Sequence, residues 1–249
     1  LNAIVVAANR GVIVRIIVDA GMYQTYPESA DELDKIENIE VRKIDVKSIT
    51  GGVQHAKYFI VDDKEVFLGS QNFDWRALKH IHELGVIQKV CISFYKNTFD
   101  FDWEISLGKN ISDIRFKFPA WHYCRILRDK KYGNIDIYPT FSSEELNKNW
   151  NNDGYRGVIR IDSLFNDFKD ITNILKIIST AQNEITLQFL SYNPVTKDGY
   201  WEEVDTALIA ASKRGVKVKL LVSDWNLSKT AVEHFKELIQ YPNFEVRYT

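Results

Sequence analysis

The feature that most constrains the fold of this chain is an internal repeat. Residues 3–18 read AIVVAANRGVIVRIIV and residues 207–222 read ALIAASKRGVKVKLLV, with seven of the sixteen positions identical. Each copy begins with an apolar helical pattern, stops at an Arg-Gly pair and continues with the alternating apolar residues of a strand. Such a repeat predicts two similar substructures within one chain.

The resemblance between the copies continues beyond these sixteen residues. A second helix is predicted in each copy, near Ala30–Ile36 and Thr230–Leu238. A second strand follows, with Asn-Ile-Glu-Val-Arg from Asn38 and Asn-Phe-Glu-Val-Arg from Asn243. Any two β-α-β units share an apolar pattern, but these copies also share their polar Arg-Gly and Glu-Val-Arg positions. The alternation of strands and helices predicts an α/β fold with a mostly parallel sheet.

The repeat also predicts how the chain is divided. We expect a first half over residues 1–150 and the start of a second half over 157–249, with Lys109–Arg156 as the crossover between them. The second copy is preceded by a helix and strand pattern over residues 171–189 that the first copy lacks, and the chain starts at Leu1 rather than at Met. We therefore expect that about 40 residues are missing before Leu1, and the sequence leaves the localisation open.

Composition excludes several classes of protein. The chain is 45% hydrophobic and 27% charged, which excludes a disordered chain and a collagen-like fibre. A net charge of −2 supplies no global attraction for nucleic acid, so polyanion binding would need a local patch. The apolar run Ala3–Ala8 is far shorter than the roughly 20 residues of a membrane span. Two cysteines, Cys91 and Cys124, are compatible with one disulfide or with two thiols.

Residues 53–86 contain the candidate catalytic and binding side chains. Gln54–Val61 has the composition of a strand, in which His55 and Lys57 would project to the same side about 7 Å apart. Asp62-Asp63-Lys64 is a turn signal, and Val66-Phe67-Leu68 is predicted to return as the hairpin partner. We expect one imidazole and one ammonium group to converge near the end of this hairpin.

Three further residues follow the predicted hairpin strand. Gly69 permits a close approach of another group to the backbone. Ser70 and Asn72, two positions apart, would face the same way as each other. These four groups together suit the binding and cleavage of a phosphate ester. The imidazole can act as a nucleophile or proton shuttle, and the ammonium group is a fixed positive charge. The hydroxyl and the amide can donate to the non-bridging oxygens. The alternative is a surface hairpin with scattered polar side chains.

At these residues the segment closely resembles the phospholipase D superfamily. The family motif His-x-Lys-x4-Asp-x6-Gly-Ser-x-Asn is matched, with every spacing satisfied, at His55, Lys57, Asp62, Gly69, Ser70 and Asn72. A family glutamate that orients the catalytic histidine matches Glu83. The longer pattern Gly-Ser-x-Asn-x-Asp-Trp-Arg, followed by Glu-Leu-Gly-Val, is most similar to the branch of phospholipase D-like proteins of animals, poxviruses and bacteria. The resemblance covers Leu1–Gly108 and Asp170–Thr249 and is weak across Lys109–Lys169.

The resemblance implies a fold, a mechanism and a set of catalytic residues. The fold would be phospholipase D-like, with two repeated β-α-β halves, each a mixed, mostly parallel sheet flanked by helices. The enzyme would be a phosphoric diester hydrolase without metal or other cofactor, working through a covalent phosphohistidine at His55. By the same resemblance, Lys57, Ser70 and Asn72 would bind the phosphate, and Glu83 would orient the histidine. Asp62, which completes the catalytic motif, would have a structural role at the strand end.

The family also pairs two such motifs, with one histidine attacking and the other protonating the leaving group. The sequence contains one. From the repeat, the second histidine is expected near position 260, beyond Thr249, so that the second half would be truncated before its own motif. The alternative is a homodimer that pairs two copies of His55, although a one-motif protein would have no need of the second repeat.

Three functions are compatible with these residues. The leading prediction is phospholipase D-type hydrolysis or phosphatidyl transfer on phospholipids, a reaction of lipid metabolism. The second is a nuclease that cleaves single-stranded DNA or RNA by the same chemistry. The third is a non-catalytic scaffold that retains the fold, against which the intact motif argues.

Other polar and aromatic side chains give weaker signals. His80 and His82 would lie on different faces of a short helical stretch, so a metal site there is not expected. His122 is interpreted as a packed or partly exposed ring. Tyr192, Asn193 and Trp225 follow strands, where α/β folds place ligand loops, although aromatic residues at strand ends more often cover the core.

Overall fold

The structure is a computed structural model that describes residues 1–110, 113–114, 124–129, 133–137, 170–196, 199–224 and 227–249. The chain separates into two compact units, Leu1–Phe165 and Asn166–Thr249. The boundaries predicted at 150 and 157 lie outside the described residues. The predicted α/β class is confirmed, with both parallel and antiparallel sheets.

The first unit opens with a parallel pair of strands and the helices that connect them. The elements are α1 Asn2–Asn9, β1 Val14–Asp19, α2 Ala20–Thr25, α3 Glu28–Leu33 and β2 Ile39–Ile44. The parallel register runs from Val14 opposite Ile39 to Asp19 opposite Ile44. Ala8, Leu33 and Ile39 form the buried cluster that packs α1 and α3 against this pair. Helix α2 was not predicted from the sequence; the carboxylate of Asp19 starts it by accepting hydrogen bonds from two backbone N–H groups.

The first unit continues with an antiparallel sheet. Its elements are α4 Val46–Thr50, β3 Lys57–Val61, β4 Glu65–Gly69, α5 Trp75–Lys79, β5 Gly85–Gln88 and α6 Ile92–Ser106. The strand order is β3-β4-β5, with Lys57 opposite Gly69 and Gly69 opposite Gly85. The predicted hairpin is therefore confirmed, and Asp62 and Asp63, with φ of 52° and 51°, form its turn.

Helix α6 covers one face of the parallel pair. The guanidinium of Arg15 lies 2.9 Å from the carboxylate of Asp100 and over the rings of Phe99 and Trp103. The guanidinium of Arg42 lies 3.9 Å from the centroid of Trp103. Asp100 of this helix thus neutralises Arg15. The ring of Trp103 shields Arg42, whose ion-pair partner is Glu40 of its own strand.

Within the predicted crossover the structure describes an antiparallel ribbon of β6 Cys124–Asp129 and β7 Gly133–Ile137. The rest of the crossover, including His122 and the loop signal over residues 147–154, lies outside the described residues. Cys91 is buried immediately before α6 and is disulfide-bonded.

The second unit is a three-stranded parallel sheet with helices packed on it. The elements are α7 Asp170–Thr180, β8 Glu184–Phe189, β9 Val195–Thr196, β10 Gly199–Tyr200, α8 Glu203–Lys213, β11 Lys217–Val222, α9 Lys229–Leu238 and β12 Phe244–Tyr248. The strand order is β12-β11-β8, and β9 and β10 form a short antiparallel pair. Alternate residues of β11, such as Val218 and Leu220, are buried against Leu208 of α8 and Phe235 of α9.

The two copies of the repeat adopt the same local geometry. Asn38 and Asn243 both have a left-handed backbone, with φ of 67° and 60°, immediately before β2 and β12. The side-chain Nδ2 of Asn38 donates to the carbonyl of Ala8 at 3.3 Å, and that of Asn243 donates to the carbonyl of Ser212 at 3.2 Å. The predicted second strands, and the predicted helix near Thr230–Leu238, are confirmed. The repeated sequence therefore encodes a repeated set of contacts.

Among the described helices, none combines the length and the apolar character that a bilayer crossing requires.

Candidate active site

The antiparallel sheet of the first unit brings four of the predicted site residues to one of its ends. Lys57, Gly69 and Gly85 are aligned across β3, β4 and β5. His55 precedes β3 by two residues, Ser70 follows β4 directly and Glu83 precedes β5 by two residues. Residues that are up to 28 positions apart in the sequence thereby meet at a common sheet end.

Ser70 and Glu83 are joined directly. The hydroxyl of Ser70 donates to Oε2 of Glu83 at 2.5 Å. The hydroxyl oxygen of Ser70 also accepts a hydrogen bond from the backbone N–H of Leu84 at 3.2 Å. The backbone N–H of Ser70 donates in turn to the carbonyl of Leu84 at 3.0 Å. This set of bonds continues the pairing of β4 and β5 and holds the carboxylate of Glu83 at the sheet end.

The charges of His55, Lys57 and Glu83 influence one another. The pKa of His55 is lowered, first by partial burial of the ring and then by the positive charge of Lys57. Partial burial also lowers the pKa of Lys57, while the negative charge of Glu83 opposes that shift. A lowered pKa keeps the imidazole of His55 neutral, with a free lone pair, near neutral pH.

The interactions of Glu83 differ from the implied pairing with the histidine. Among the described residues its hydrogen-bond partner is Ser70, and no side-chain hydrogen bond to His55 is present. The role of Glu83 in orienting His55 therefore stays a prediction.

Asn72 and Asp62 are placed differently from each other. Asn72 is exposed, two residues after Ser70, in the segment that leads to α5. Asp62 lies in the turn at the other end of the hairpin, beyond Val61, which is about 13 Å along β3 from Lys57 by the rise of a strand. The structure therefore does not bring Asp62 together with His55, Lys57, Ser70 and Glu83. Its position in the turn is compatible with the structural role at the strand end.

The predicted strand over Gln54–Val61 was wrong at its start, because β3 begins at Lys57. Residues 53–56 have no regular pairing. The backbone N–H of Gln54 donates to Oδ2 of Asp19 at 2.8 Å, and its side-chain Nε2 donates to Oδ2 of Asp102 at 2.8 Å. These bonds tie the segment to β1 and α6 rather than to a neighbouring strand, so strand alternation does not set the direction of His55.

The close approach predicted at Gly69 is confirmed. A Cβ at Gly69 would lie 2.2 Å from Oε1 of Gln71, and a Cβ at Gly85 would lie 2.7 Å from the ring of Phe67. The side chain of Gln71 therefore lies over two facing glycines, and its Oε1 is buried without a hydrogen-bond partner. Gln71 occupies the x position of Gly-Ser-x-Asn, which the motif does not specify.

Sequence reasoning missed Gln54, which precedes His55, and the two carboxylates that bind it. These carboxylates belong to Asp19 and Asp102, and both are buried, with exposed fractions of 7% and 8%. Burial raises the pKa of Asp102 to about 7, and its hydrogen bond from Gln54 opposes that shift. A polar residue directly before the motif histidine was the available signal, but the distant carboxylates become visible only in the fold.

The weaker candidates are dispersed. His80 and His82 are exposed at and beyond the end of α5, and the His80 ring meets that of Trp75 edge-on at 5.4 Å. In the part of the chain that the structure describes, no group of three or more His, Cys, Asp or Glu side chains could hold a metal ion. Tyr192 donates to buried Asp205 in the second unit, Asn193 is exposed, and Trp225 lies outside the described residues.

The segment from Asn72 to Glu83 also presents apolar side chains to the surface. Trp75 is 65% exposed, and its neighbours Phe73, Leu78 and Ile81 are more than half exposed. Scattered apolar residues are usual on a protein surface, but four in one segment beside polar site residues form an apolar patch.

Comparison with known proteins adds to this geometry. Residues 1–103 match the family model for the cardiolipin synthase, PLD-like domain. Phospholipase D Z of Dictyostelium discoideum is 28% identical over 259 residues, an alignment that covers 99% of this chain and 58% of the relative. The virion nicking-joining enzyme of Vaccinia virus (strain Western Reserve) is 29% identical over 94% of this chain and 54% of the relative.

A third relative is the 5'-3' exonuclease PLD4 of Mus musculus, 29% identical over 82% of this chain and 40% of the relative. The chain thus spans somewhat more than half the length of the first two relatives. The family model and the relatives agree with the residues that meet at the sheet end, and together they support the phospholipase D superfamily as the family that this chain resembles.

Proposed function

We propose that this protein hydrolyses phosphodiesters through a covalent phosphohistidine on His55. The observation that supports this most is the meeting of His55, Lys57, Ser70 and Glu83 at one sheet end, with Ser70 bound to Glu83 at 2.5 Å. A neutral imidazole beside a fixed ammonium group supplies both a nucleophile and a binding group for a phosphate.

In the first step a ring nitrogen of His55 attacks phosphorus, an N–P bond forms, and the bond from phosphorus to the leaving alkoxide breaks. In the second step water attacks phosphorus, the N–P bond breaks, and the phosphomonoester leaves with His55 restored. An alcohol in place of water gives transfer instead of hydrolysis. Lys57 and Asn72 hold the non-bridging oxygens, while Ser70 and Glu83 support the position of the imidazole.

The leaving alkoxide must gain a proton in the first step, and proton transfer of this kind contributes about 10²–10⁴-fold in rate. His55 is occupied by the covalent bond and cannot supply it. We therefore propose a second histidine motif, from another segment of the full protein or from a second copy of this chain. The 249 residues contain one such motif.

The two units of the chain are proposed to be the repeated halves. The matched contacts of Asn38 with Ala8 and of Asn243 with Ser212 support this, together with parallel pairing of the strands that follow in both units. Under this proposal the surface that follows β12 corresponds to the surface that follows β2, where the site residues of the first unit begin.

For the substrate, the leading proposal is a phospholipid. The apolar patch of Phe73, Trp75, Leu78 and Ile81 beside Asn72 and Glu83 supports it, since acyl chains or a bilayer surface would contact such side chains. Relatives named phospholipase D Z and phospholipase D Y also support it.

The second candidate substrate is a single-stranded nucleic acid. Relatives named virion nicking-joining enzyme and 5'-3' exonuclease favour it, and exposed aromatic rings such as Phe73 and Trp75 can stack on bases. Both substrates present the same phosphodiester to the same side chains, so the chemistry of His55 is common to both.

One experiment tests the proposal. The full protein is given labelled phosphatidylcholine vesicles and a single-stranded oligonucleotide in parallel, as wild type and as His55→Asn. We expect the wild type to cleave one of them, the variant to lose at least 99% of that activity, and both to melt at the same temperature because His55 is exposed. Cleavage of neither substrate, or a tenth of the activity left in the variant, contradicts the proposal. Cleavage of the oligonucleotide but not of the phospholipid would show that the substrate is a nucleic acid.

A further inference from the structure

His55 has no side-chain hydrogen bond among the described residues, so its position depends on the backbone that carries it. That backbone, residues 53–56, belongs to no helix or strand. A nucleophile must nevertheless be held close to its productive position, since a misplacement of about 1 Å can cost about 100-fold in rate. Some other part of the molecule has to supply the constraint.

The side chain of Gln54 makes two hydrogen bonds that meet this need. Its Nε2 donates to Oδ2 of Asp102 at 2.8 Å, and its Oε1 accepts from the backbone N–H of Ala56 at 3.2 Å. One bond fixes the residue before His55 to helix α6, and the other fixes the residue after it. The side-chain amide of Gln54 therefore constrains the backbone both before and after His55.

Asp102 is a suitable anchor because it is buried within a helix. It lies in the second half of the fifteen-residue helix α6, is 8% exposed, and follows the buried Phe101. The N–H of Ala56 can only donate, so the amide oxygen of Gln54 must face Ala56, and the amide nitrogen must then face Asp102. The orientation of the amide follows from its two partners.

A third bond acts on the same residue. The backbone N–H of Gln54 donates to Oδ2 of Asp19 at 2.8 Å, while Oδ1 of Asp19 accepts from two N–H groups at the start of α2. Asp19 has a structural task of its own, so its removal would not report on His55 alone. Gln54 and Asp102 are the pair that can be tested separately.

We propose that Gln54 and Asp102 are positioning residues for the nucleophile His55. The side-chain amide of Gln54, anchored on Asp102, holds the 54–56 backbone so that the imidazole points at the substrate phosphorus. This inference rests on the proposed function of His55. It adds two residues that the family motif does not contain.

Four variants of the full protein test the pair. Gln54→Met keeps the length of the side chain and removes both of its hydrogen bonds. Asp102→Leu removes the acceptor, whereas Asp102→Asn keeps a carbonyl oxygen that can accept from Gln54. Asp100→Asn is the matched control, because Asp100 lies on the same helix but its partners are Arg15 and Lys96.

For a positioning role we expect Gln54→Met and Asp102→Leu to lower kcat about 10–100-fold while KM stays within about threefold. Asp102→Asn should keep at least about a third of kcat, and Asp100→Asn should match the wild type. A wild-type kcat in folded Gln54→Met, or equal losses in Asp102→Asn and Asp102→Leu, would overturn the proposal. If Gln54→Met does not fold, the comparison of the two Asp102 variants decides.

A second measurement does not depend on activity. Hydrogen exchange of the Ala56 amide should be slow in the wild type and at least about tenfold faster in folded Gln54→Met, because the bond to Oε1 is lost. Equal exchange in both proteins would overturn the positioning role even if the enzyme is active. Slow exchange in an inactive wild type would instead contradict the proposed function and leave the geometry of Gln54 supported.

Discussion

Ser70 donates a hydrogen bond of 2.5 Å to Glu83, a residue 13 positions later in the chain, across the ends of two adjacent strands. The serine of the Gly-Ser-x-Asn motif is thereby a partner of the acidic residue as well as a neighbour of the proposed phosphate site. A hydrogen bond to a charged group is shorter and stronger than a neutral one, so the hydroxyl of Ser70 helps to position this carboxylate.

The first prediction concerns this bond. Ser70→Ala should lower kcat/KM about 10–100-fold, the rate equivalent of losing one charge-assisted hydrogen bond. Ser70→Thr keeps the hydroxyl and should recover most of the activity. Ser48→Ala serves as the control, because the hydroxyl of Ser48 bonds to the backbone of α4 instead. Equal activity of Ser70→Ala and Ser70→Thr would show that the hydroxyl is not used.

The second prediction concerns pH. The pKa of His55 is lowered by burial and by Lys57, and only the neutral imidazole can attack phosphorus. Activity should therefore persist below pH 6.5 and fall only as the pH drops through the lowered pKa. Removing the positive charge in Lys57→Met should move the NMR titration midpoint of His55 upward, and Lys64→Met, in the hairpin turn, should not. An unchanged or lower midpoint in Lys57→Met would contradict this.

The third prediction concerns the facing glycines. Gly69→Ala should destabilise the protein, because its Cβ would lie 2.2 Å from Oε1 and 2.9 Å from Cδ of Gln71. Overpacking of this kind costs about 1–3 kcal/mol in unfolding free energy. The double variant Gly69→Ala/Gln71→Ala should recover most of the loss. Strictly additive effects in urea unfolding would mean that the glutamine side chain does not lie over Gly69.

The fourth prediction concerns Asp102, whose pKa burial raises from 3.8 to about 7. Between pH 3.8 and about 7 the folded state then binds one more proton than the unfolded state. The contribution of Asp102 to the stability of the folded state is therefore present at low pH and is lost as the pH rises towards 7. Relative to Asp102→Asn, the unfolding free energy of the wild type should fall by up to about 4 kcal/mol from pH 4 to above pH 7. Urea unfolding at several pH values measures this, and parallel curves for the two proteins would contradict it.

The fifth prediction concerns metal ions. Lys57 and the side-chain amide of Asn72 can supply the positive charge and hydrogen bonds that a phosphate needs. Diester cleavage by the full protein should therefore continue in saturating EDTA, with a magnesium-dependent nuclease as the control that loses its activity. Loss of activity that one added divalent ion restores would contradict the prediction.

The sequence by itself determined the elements and the motif. The repeated Arg-Gly stops and Asn-x-Glu-Val-Arg segments predicted helices and parallel strands that the structure contains in both units. These predictions succeeded because apolar periodicity and glycine or asparagine stops are local signals. The predicted hairpin likewise brought Lys57 and Ser70 to the same end of β3 and β4, whereas the strand β5 that brings Glu83 to this end was not predicted.

Only the tertiary structure decided what surrounds His55. The strand expected from Gln54 begins at Lys57, because Asp19 and Asp102, from distant parts of the chain, take the hydrogen bonds of Gln54. No pattern within residues 53–61 encodes those partners. Long-range hydrogen bonds between buried groups depend on how β1 and α6 pack. Packing of this kind outweighs the strand propensity of a short segment.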